Sequence, residues 1–518
     1  MGIRFFLSLL VAATSLSLTA RGAVVVYDVI PAMELSSSFT LEVRNPVGGG
    51  NWHSVPVYSI AVDKVTDGHH RTEWASFAYF DFSGRVELRV RTPEAPSQVR
   101  VRPLSKNITP HRRGRCSTFF LDAPANLSFE ADGDIFHNLH IFANPLPGSA
   151  ADSLDGSLLG SAADSLGGSA AGSFAGQGKA DIVFGPGYHK LEGSIMDIPS
   201  GSTVYVDGAA WVDGTLRVKD AENVRIFGSG IVRPKGRGYG VEIKNSRNVT
   251  VEGLILTQCP IGGSRDVTIR NVKSITHYGW GDGLNVFASS NVLFDGVFCR
   301  NSDDCTTVYA TRMGYVGGCS NIRMQNSVLW ADVAHPIFIG LHGAASYKED
   351  VQSRNLPFTE DPDEVTRRND VIENLTYYNI DILDHAEKQI DYQGCMAIVC
   401  GDNNIVRNVL FDNVRVEDFR QGQLLCVRII HNRKYCQAPG LSISGVTFRD
   451  VVYNGKNASL SLIGGYDSER SIEGIVFENL SLNGRLISDD MSGKPKWYKT
   501  SDFAGIAVGN HVGDIIFK

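Results

Sequence analysis

A short motif that recurs along the second part of the chain constrains its fold more than any other feature. The motif reads Asn-Val-x-apolar, with Asp in place of Asn once, and its first five copies begin 25, 18, 25 and 30 residues apart. A repeat of this length without a helical period predicts a parallel β-helix, in which each coil adds a strand about 4.8 Å above the last. The copies begin at Asn223, Asn248, Asp266, Asn291, Asn321, Asn374 and Asn408.

The repeat also predicts what its residues do. The apolar side chains should stack into the core, and the asparagines should lie at turns, where their amides can form ladders. The interval from Asn321 to Asn374 is too long for one coil and contains the polar stretch 344–370. We interpret this stretch as a loop that leaves the solenoid beside a cleft, because loops of this size are usually functional.

The rest of the chain divides by composition. Residues 24–146 alternate apolar and polar positions, as in Val86, Leu88 and Val90, and predict an N-terminal β-sandwich. Residues 147–178 are rich in Gly, Ser and Ala and predict a flexible insertion or linker. Residues 179–518 form the predicted catalytic domain, so the fold class is all-β, a right-handed, pectin-lyase-like parallel β-helix behind a sandwich.

The first 23 residues predict an export signal, because Arg4 precedes a short apolar run that ends in small residues. We therefore expect a secreted or periplasmic protein with no membrane partner. A net charge of −7 argues against nucleic acid as a partner, and we expect a monomer. The nine cysteines leave two interpretations open: local pairs, such as Cys395 with Cys400 or Cys426 with Cys436, or small buried core residues.

Three aspartates carry the chemistry. Asp282 lies 21 residues before Asp303 and 22 before Asp304, and both intervals fit one coil of the predicted solenoid. Carboxylates one coil apart lie next to each other and repel at neutral pH unless one of them holds a proton. Such clusters are frequent at catalytic sites and suit the acid/base cleavage of a glycosidic bond.

These residues resemble two families of inverting β-helix glycosidases: the polygalacturonase family (glycoside hydrolase family 28) and the dextranase–isopullulanase family (glycoside hydrolase family 49). Both carry an Asp-Gly turn and, about one coil later, an Asp-Asp pair, here Asp282-Gly283 and Asp303-Asp304. The spacing is similar to that of polygalacturonases. The sandwich ahead of the solenoid looks more like the dextranase family.

The resemblance implies roles for the three aspartates. Asp303 would protonate the leaving oxygen, and Asp282 and Asp304 would hold and deprotonate the attacking water, with no metal or other cofactor. The substrate would be a polysaccharide or oligosaccharide with α-linkages. The chain departs from the polygalacturonase pattern, with Trp280-Gly281 before the first aspartate and only a partial match, Arg428-Ile429-Ile430, to the basic motif. A dextran-type glucan is therefore favoured, and a pectic polymer is the alternative.

Several other residues are candidates for substrate contact on later or neighbouring turns. They are Trp280, Tyr278, His335, His342, His385, Lys388 and Arg428. Each has a structural interpretation too, as a core aromatic or a buried histidine. Two other functions use the same fold and stay open from the sequence: a polysaccharide lyase, which would need a base beside a uronate, and a non-catalytic glycan-binding protein.

Overall fold

The computed structural model describes residues 22–146 and 180–518, apart from positions 48, 67, 391 and 393. The predicted export signal, except residues 22 and 23, and the whole predicted linker 147–178 lie outside the described residues. Among the described residues, no helix is long and apolar enough to cross a bilayer.

Residues 24–145 form two sheets that pack face to face around one apolar core. A six-stranded sheet contains β1, β4, β5, β7, β10 and β11, and a five-stranded sheet contains β2, β3, β6, β8 and β9. The alternation at Val86, Leu88 and Val90 is confirmed, because these three side chains of β6 are buried and their neighbours are not. The strands are β1 (Val24–Val25), β2 (Thr40–Arg44), β3 (His53–Val55), β4 (Tyr58–Thr66), β5 (His69–Phe82), β6 (Val86–Arg91), β7 (Val99–Arg102), β8 (His111–Arg113), β9 (Cys116–Leu121), β10 (Ala125–Ala131) and β11 (Leu139–Pro145), with a short 3₁₀ helix at Leu104–Lys106.

The rest of the described chain is a parallel β-helix, which confirms the predicted fold class. Thirty strands belong to one continuous sheet in which each strand pairs in parallel with its counterpart on the next coil. The first strands are β12 (Ile182–Phe184), β13 (Gly187–Asp197), β14 (Thr203–Val206), β15 (Ala210–Lys219), β16 (Glu222–Gly228), β17 (Ile231–Val232), β18 (Val241–Lys244), β19 (Arg247–Glu252), β20 (Ile255–Leu256), β21 (Ile261–Gly262), β22 (Arg265–Arg270), β23 (Lys273–Ile275), β24 (Leu284–Phe287), β25 (Ser290–Asp295), β26 (Phe298–Asn301) and β27 (Thr306–Tyr309).

The later coils have longer strands, because two short strands of a coil often run on as one. They are β28 (Cys319–Ala331), β29 (Ile337–Gly340), β30 (Val371–Asp384), β31 (Met396–Cys400), β32 (Ile405–Glu417), β33 (Gly422–Gln423), β34 (Leu425–Ile429), β35 (Ser442–Arg449), β36 (Val452–Asn454), β37 (Ala458–Ser459), β38 (Ser461–Gly464), β39 (Ile472–Glu478), β40 (Leu480–Leu482), β41 (Arg485–Ile487), β42 (Ile506–Val508) and β43 (Ile515–Phe517). Only β41 pairs antiparallel within this sheet, and β33 and β37 form a small sheet of their own.

The asparagines of the repeat form the predicted amide ladder, but they lie at bends within the strands, where the backbone pairing skips them, and not in turns between strands. Each has a positive φ, the left-handed conformation that Asn tolerates better than most residues. Asn248 donates from Nδ2 to Oδ1 of Asn223 at 2.7 Å, and Asn321 donates to Asn291 at 3.0 Å. Asp266 takes the same place in its coil and accepts from Asn291 at 2.9 Å. The ladder therefore gives each of these side chains a hydrogen-bond partner on an adjacent coil.

The polar stretch 344–370 leaves the solenoid, as predicted. It contains a 3₁₀ turn at Ala344–Ser346 and two short helices, α1 (Tyr347–Ser353) and α2 (Pro362–Val365). A further short helix, α3 (Thr500–Phe503), lies near the C-terminus.

All nine cysteines are free thiols, and eight of them are buried. The local pairs that the spacing allowed do not form. The other interpretation, small buried core residues, agrees with the structure.

The sandwich packs against the solenoid through an apolar layer and a buried polar network. Phe77 and Phe142 of the six-stranded sheet share a core with Phe298 and Trp330 of the solenoid. At the centre lies Arg300, fully buried, which forms an ion pair with the fully buried Asp332 at 2.9 Å.

Arg300 joins the two parts of the chain by further hydrogen bonds. It donates to the Asn138 side chain at 2.8 Å and to the Ile135 carbonyl at 2.9 Å, both in the sandwich. Its guanidinium also lies 4.3 Å from the centre of the Trp330 ring. A buried cation with this many partners fixes the position of the strand that carries it.

We predict that Asp332→Ala destabilises the protein by about 3–5 kcal/mol, because it leaves the buried Arg300 without its counter-ion. The measurement is the free energy of unfolding from denaturant titration. The control is Glu222→Ala, which removes the partner of Arg247 from a pair whose side chains are 47% and 48% exposed. Exposed pairs contribute about 1 kcal/mol or less. Equal losses in the two variants would contradict the role assigned to the buried pair.

Candidate active site

Asp282, Asp304 and His335 lie in one column along the side of the solenoid. Each stands two residues before a strand, β24, β27 or β29, and these strands pair in register from coil to coil. Backbone hydrogen bonds extend the alignment into the turns: Gly283 N donates to Asp304 O at 2.8 Å, and Cys305 N donates to His335 O at 2.8 Å. The register thus places one carboxylate directly over another and a histidine after them.

Asp303 completes the group from the same turn as Asp304. Its Oδ1 accepts a hydrogen bond from the Asp304 backbone N at 3.1 Å. Asp282 and Asp303 are partly exposed, whereas Asp304 and His335 are buried. The two partly exposed carboxyl groups are therefore accessible to a substrate, and the buried pair lies behind them.

His335 carries a positive charge opposite Asp304. Its Nδ1 is 2.6 Å from Asp304 Oδ1, and its Nε2 contacts the carbonyl oxygen of Tyr392. Both partners are acceptors, so both ring nitrogens must carry hydrogen. Burial opposes this charge, but the charge of Asp304 and its hydrogen bond raise the pKa of His335 above its usual value.

The other two carboxyl groups are held in the protonated form more strongly than ordinary aspartates. Burial, and then the charge of Asp304, raises the pKa of Asp282 to about 7. Burial, and then the charges of Asp282 and Asp304, raises the pKa of Asp303 well above its usual value. The site therefore contains a carboxyl group paired with a histidine, one whose pKa is raised to about 7, and one whose pKa is raised well above its usual value.

Glu387 is a fourth carboxylate at this site, and the sequence did not indicate it. It is buried, and its charge raises the pKa of both Asp303 and His335. Its Oε1 accepts from the backbone N of Gln389 at 2.7 Å. The neighbouring candidates His385 and Lys388 marked the right loop, but no spacing rule distinguished Glu387 within it.

Two more side chains hold the aspartates in place and were also missed. Asn285 donates from Nδ2 to Asp282 Oδ2 at 2.7 Å. Tyr309 donates from its hydroxyl to Asp304 Oδ2 at 3.3 Å. In the sequence, both residues lie in segments with the pattern of ordinary core strands. Only the strand register shows that their side chains face the carboxyl groups.

The polar loop reaches the site through Arg312. Asp350 of helix α1 accepts from Arg312 Nη1 at 2.6 Å and from the Met313 backbone N at 2.6 Å. The charge of Arg312 lowers the pKa of Asp282 and so limits the upward shift caused by burial. The loop thus contributes to the electrostatics of the site.

Tyr278 and Trp280 form the rim beside Asp282. The Trp280 side chain is 78% exposed, and its backbone has a φ of 56°. The Tyr278 hydroxyl donates to the Gly238 carbonyl at 3.1 Å. An exposed aromatic ring next to a carboxyl group is well suited to stack on a sugar, and sugar contact by Trp280 stays a prediction.

His342 and His385 lie behind the column. His385 is fully buried: its Nδ1 donates to the Ala334 carbonyl at 2.7 Å, and its Nε2 accepts from Gly394 N at 3.2 Å. Its ring centre is 5.9 Å from that of His335. His342 packs edge-on against Tyr309 with ring centres 4.9 Å apart. Both positions favour support of the site over substrate contact.

Lys388 and Arg428 are not brought to the aspartates in the same way. Lys388 is exposed on the turn after β30. Arg428 lies within β34 and pairs with Val399 of β31. Strand β34 is two coils beyond β29, the strand that follows His335. Among the described residues, no group of three or more His, Cys, Asp or Glu side chains is arranged to hold a metal ion.

Solved structures similar to this chain include members of both families that the sequence resembles. Dex49A from Penicillium minioluteum aligns with 11% identity and a TM-score of 0.45, covering 93% of this chain and 96% of that one. The family 28 exopolygalacturonase of Yersinia enterocolitica aligns with 12% identity and a TM-score of 0.46, covering 83% and 96%. The endo-xylogalacturonan hydrolase of Aspergillus tubingensis aligns with 15% identity and a TM-score of 0.36, covering 58% and 84%.

No protein-family model and no curated protein matches the chain by sequence. The similarity to the solved structures is one of fold. The functional argument therefore rests on the geometry of the site.

Proposed function

We propose that the protein is an exported glycoside hydrolase that cleaves α-glycosidic bonds of a polysaccharide with inversion at the anomeric carbon. The observation that carries the proposal is the set of three clustered carboxyl groups in different environments: Asp304 is paired with His335, and Asp282 and Asp303 have raised pKa values. Most glycoside hydrolases use one carboxylic acid and one carboxylate at the bond that they cleave. Asp303 supplies the first and the column of Asp282 and Asp304 the second.

The reaction proceeds in one displacement. Asp303 donates its proton to the glycosidic oxygen as the bond to the anomeric carbon breaks. A water molecule attacks that carbon from the opposite face, and its proton passes to the carboxylate of Asp282 or Asp304. His335 stabilises the charge of Asp304, and Asn285 orients Asp282. A base that titrates near neutrality is well matched to this task.

Asp303→Asn should lower kcat at least about a hundredfold, because an amide cannot donate the proton that general-acid catalysis requires. Binding of the polysaccharide should persist, since the side chains have nearly the same shape. The matched control is Asp266→Asn, the same substitution at a ladder position where the other coils already have asparagine. Unimpaired hydrolysis by Asp303→Asn would contradict the proposal.

The stereochemistry provides a second, independent test. Proton NMR of the first products from an α-linked polysaccharide should show the β-anomer, followed by slow mutarotation. Dextran, pullulan and polygalacturonate form the substrate panel, with a dextran-type glucan favoured by the sequence and a pectic polymer as the alternative. First products with the α configuration would exclude single displacement.

Glu387→Gln should move the alkaline limb of kcat/KM to lower pH. Asp303 acts only while protonated, so activity is lost as the pH rises through its pKa. The negative charge of Glu387 raises that pKa, and removing the charge lowers it. The control is Glu373→Gln, whose carboxylate pairs with Arg407 on the outer surface. An alkaline limb that does not move would contradict the assignment of Asp303 as the acid.

A further inference from the structure

Three cations lie on one turn of the solenoid without a counter-ion among the described residues. Arg233, Lys235 and Arg237 belong to the turn between β17 and β18, which we call the cationic loop, residues 233–240. Within residues 22–146 and 180–518, as far as they are described, none of the three forms an ion pair. By contrast, Arg225 and Arg247 on the neighbouring strands pair with Glu252 and Glu222.

Arg233 is the most costly of these unpaired charges. Its Nη1 is buried and has no hydrogen-bond partner among the described residues. Burial lowers its pKa below the usual arginine value. An uncompensated buried charge destabilises a protein unless another group supplies the opposite charge. The rest of the side chain is partly exposed, so that group can approach from solvent.

The cationic loop is fixed in place. The Trp211 indole donates to the Arg233 carbonyl at 2.8 Å, and the Lys235 backbone N donates to Asp213 at 2.7 Å. Thr257 on the next coil donates to the Gly238 carbonyl at 2.8 Å. A site held by its own backbone contacts does not have to be ordered when a ligand binds.

Aromatic rings lie beside each exposed cation. The Lys235 ammonium is 4.4 Å from the centre of the Tyr188 ring. The Arg237 guanidinium is 5.1 Å from the Tyr278 ring and 5.4 Å from the Trp280 ring. Cations next to exposed aromatic faces suit a sugar that carries an anionic substituent, because the ring contacts the sugar face and the cation contacts the anion.

The cationic loop adjoins the aspartates. Arg237 Nη2 donates to the Gly279 carbonyl at 2.5 Å, in the turn that carries Asp282. Burial, then the charge of Glu242 and then the charge of Asp282 raise the pKa of Tyr239, within the loop itself. The strand before the loop and the strand before Asp282 are two coils apart, or roughly 10 Å at about 4.8 Å per coil. A saccharide with its bond at the aspartates can therefore extend over the loop.

We propose that Arg233, Lys235 and Arg237 form a subsite that binds a carboxylate or sulfate group of the polysaccharide, with Trp280 as the platform for the adjoining sugar. This inference rests on the proposed hydrolase function and names its substrate class, an anionic polysaccharide, in place of the neutral dextran-type glucan that the sequence favours. Arginine favours both groups, since its planar fork can donate two parallel hydrogen bonds to either. The subsite lies on the N-terminal side of the aspartates, opposite to Arg428.

The test compares polymers that differ only in charge, using Asp303→Asn protein so that binding is measured without cleavage. The probes are dextran, carboxymethyl-dextran and dextran sulfate, together with polygalacturonate and its methyl ester, and the measurement is Kd by calorimetry. We expect tighter binding of a charged polymer than of its neutral counterpart. The carboxymethyl and sulfate arms distinguish the two anions.

Arg233→Gln with Lys235→Gln should reduce the charged-to-neutral preference by about tenfold or more, the range expected for lost hydrogen bonds to charged groups. The matched control, Arg265→Gln with Lys496→Gln, removes the same charge from exposed positions outside the cleft. Circular dichroism checks folding. If the double variant does not fold, Lys235→Glu at an exposed position should give the same loss of preference.

The inference is overturned if the preference survives in the loop variants, if the control loses it equally, or if no charged polymer binds. Its failure is distinguishable from failure of the hydrolase function. Unimpaired hydrolysis by Asp303→Asn would contradict the function whatever the binding data show, and cleavage without charge preference would contradict only the subsite.

Discussion

In-register pairing of parallel strands is the constraint on which the site depends. Because each coil bonds to the next at fixed positions, residues of adjacent turns are superimposed without any contact between their side chains having to hold them there. The pairing of β24 with β27 and of β27 with β29 places Asp282, Asp304 and His335 in one column. The solenoid thus stabilises a cluster of carboxyl groups that would separate on a flexible scaffold.

Raised pKa values and one cation, His335, reduce the negative charge of the carboxyl cluster. His335 donates from both ring nitrogens and so compensates Asp304. Burial and the charge of Asp304 raise the pKa of Asp282, and burial and the charges of Asp282 and Asp304 raise the pKa of Asp303. The charge of Glu387 also contributes to the raised pKa values of Asp303 and His335. In the proposed mechanism these different environments make one carboxyl group the acid and another the base, although the side chains are chemically identical.

The sandwich takes part in this arrangement through buried contacts behind the site. Arg300 occupies β26, the strand that leads to Asp303, and bonds both to Asn138 of the sandwich and to Asp332 before His335. The buried Lys273, on the preceding coil, donates to Asn144 of the sandwich at 2.5 Å. The N-terminal domain therefore supports two of the strands that lead to the turns with Asp282 and Asp303.

The amino-acid sequence by itself determined the solenoid, the amide ladder, the polar loop and the position of three aspartates on adjacent coils. These features are local or periodic, so the repeat of the Asn-Val motif and an interval close to one coil are enough to predict them. Separations of 21 and 22 residues both fit one coil, so the sequence could not show which aspartate lies above Asp282. The tertiary structure places Asp304, not Asp303, in register with Asp282. Glu387, Tyr309 and the unpaired Arg233 also became visible only in three dimensions. Their roles depend on which charges lie nearby and which side chains lack a partner, and those relations arise from long-range packing that no spacing along the chain encodes.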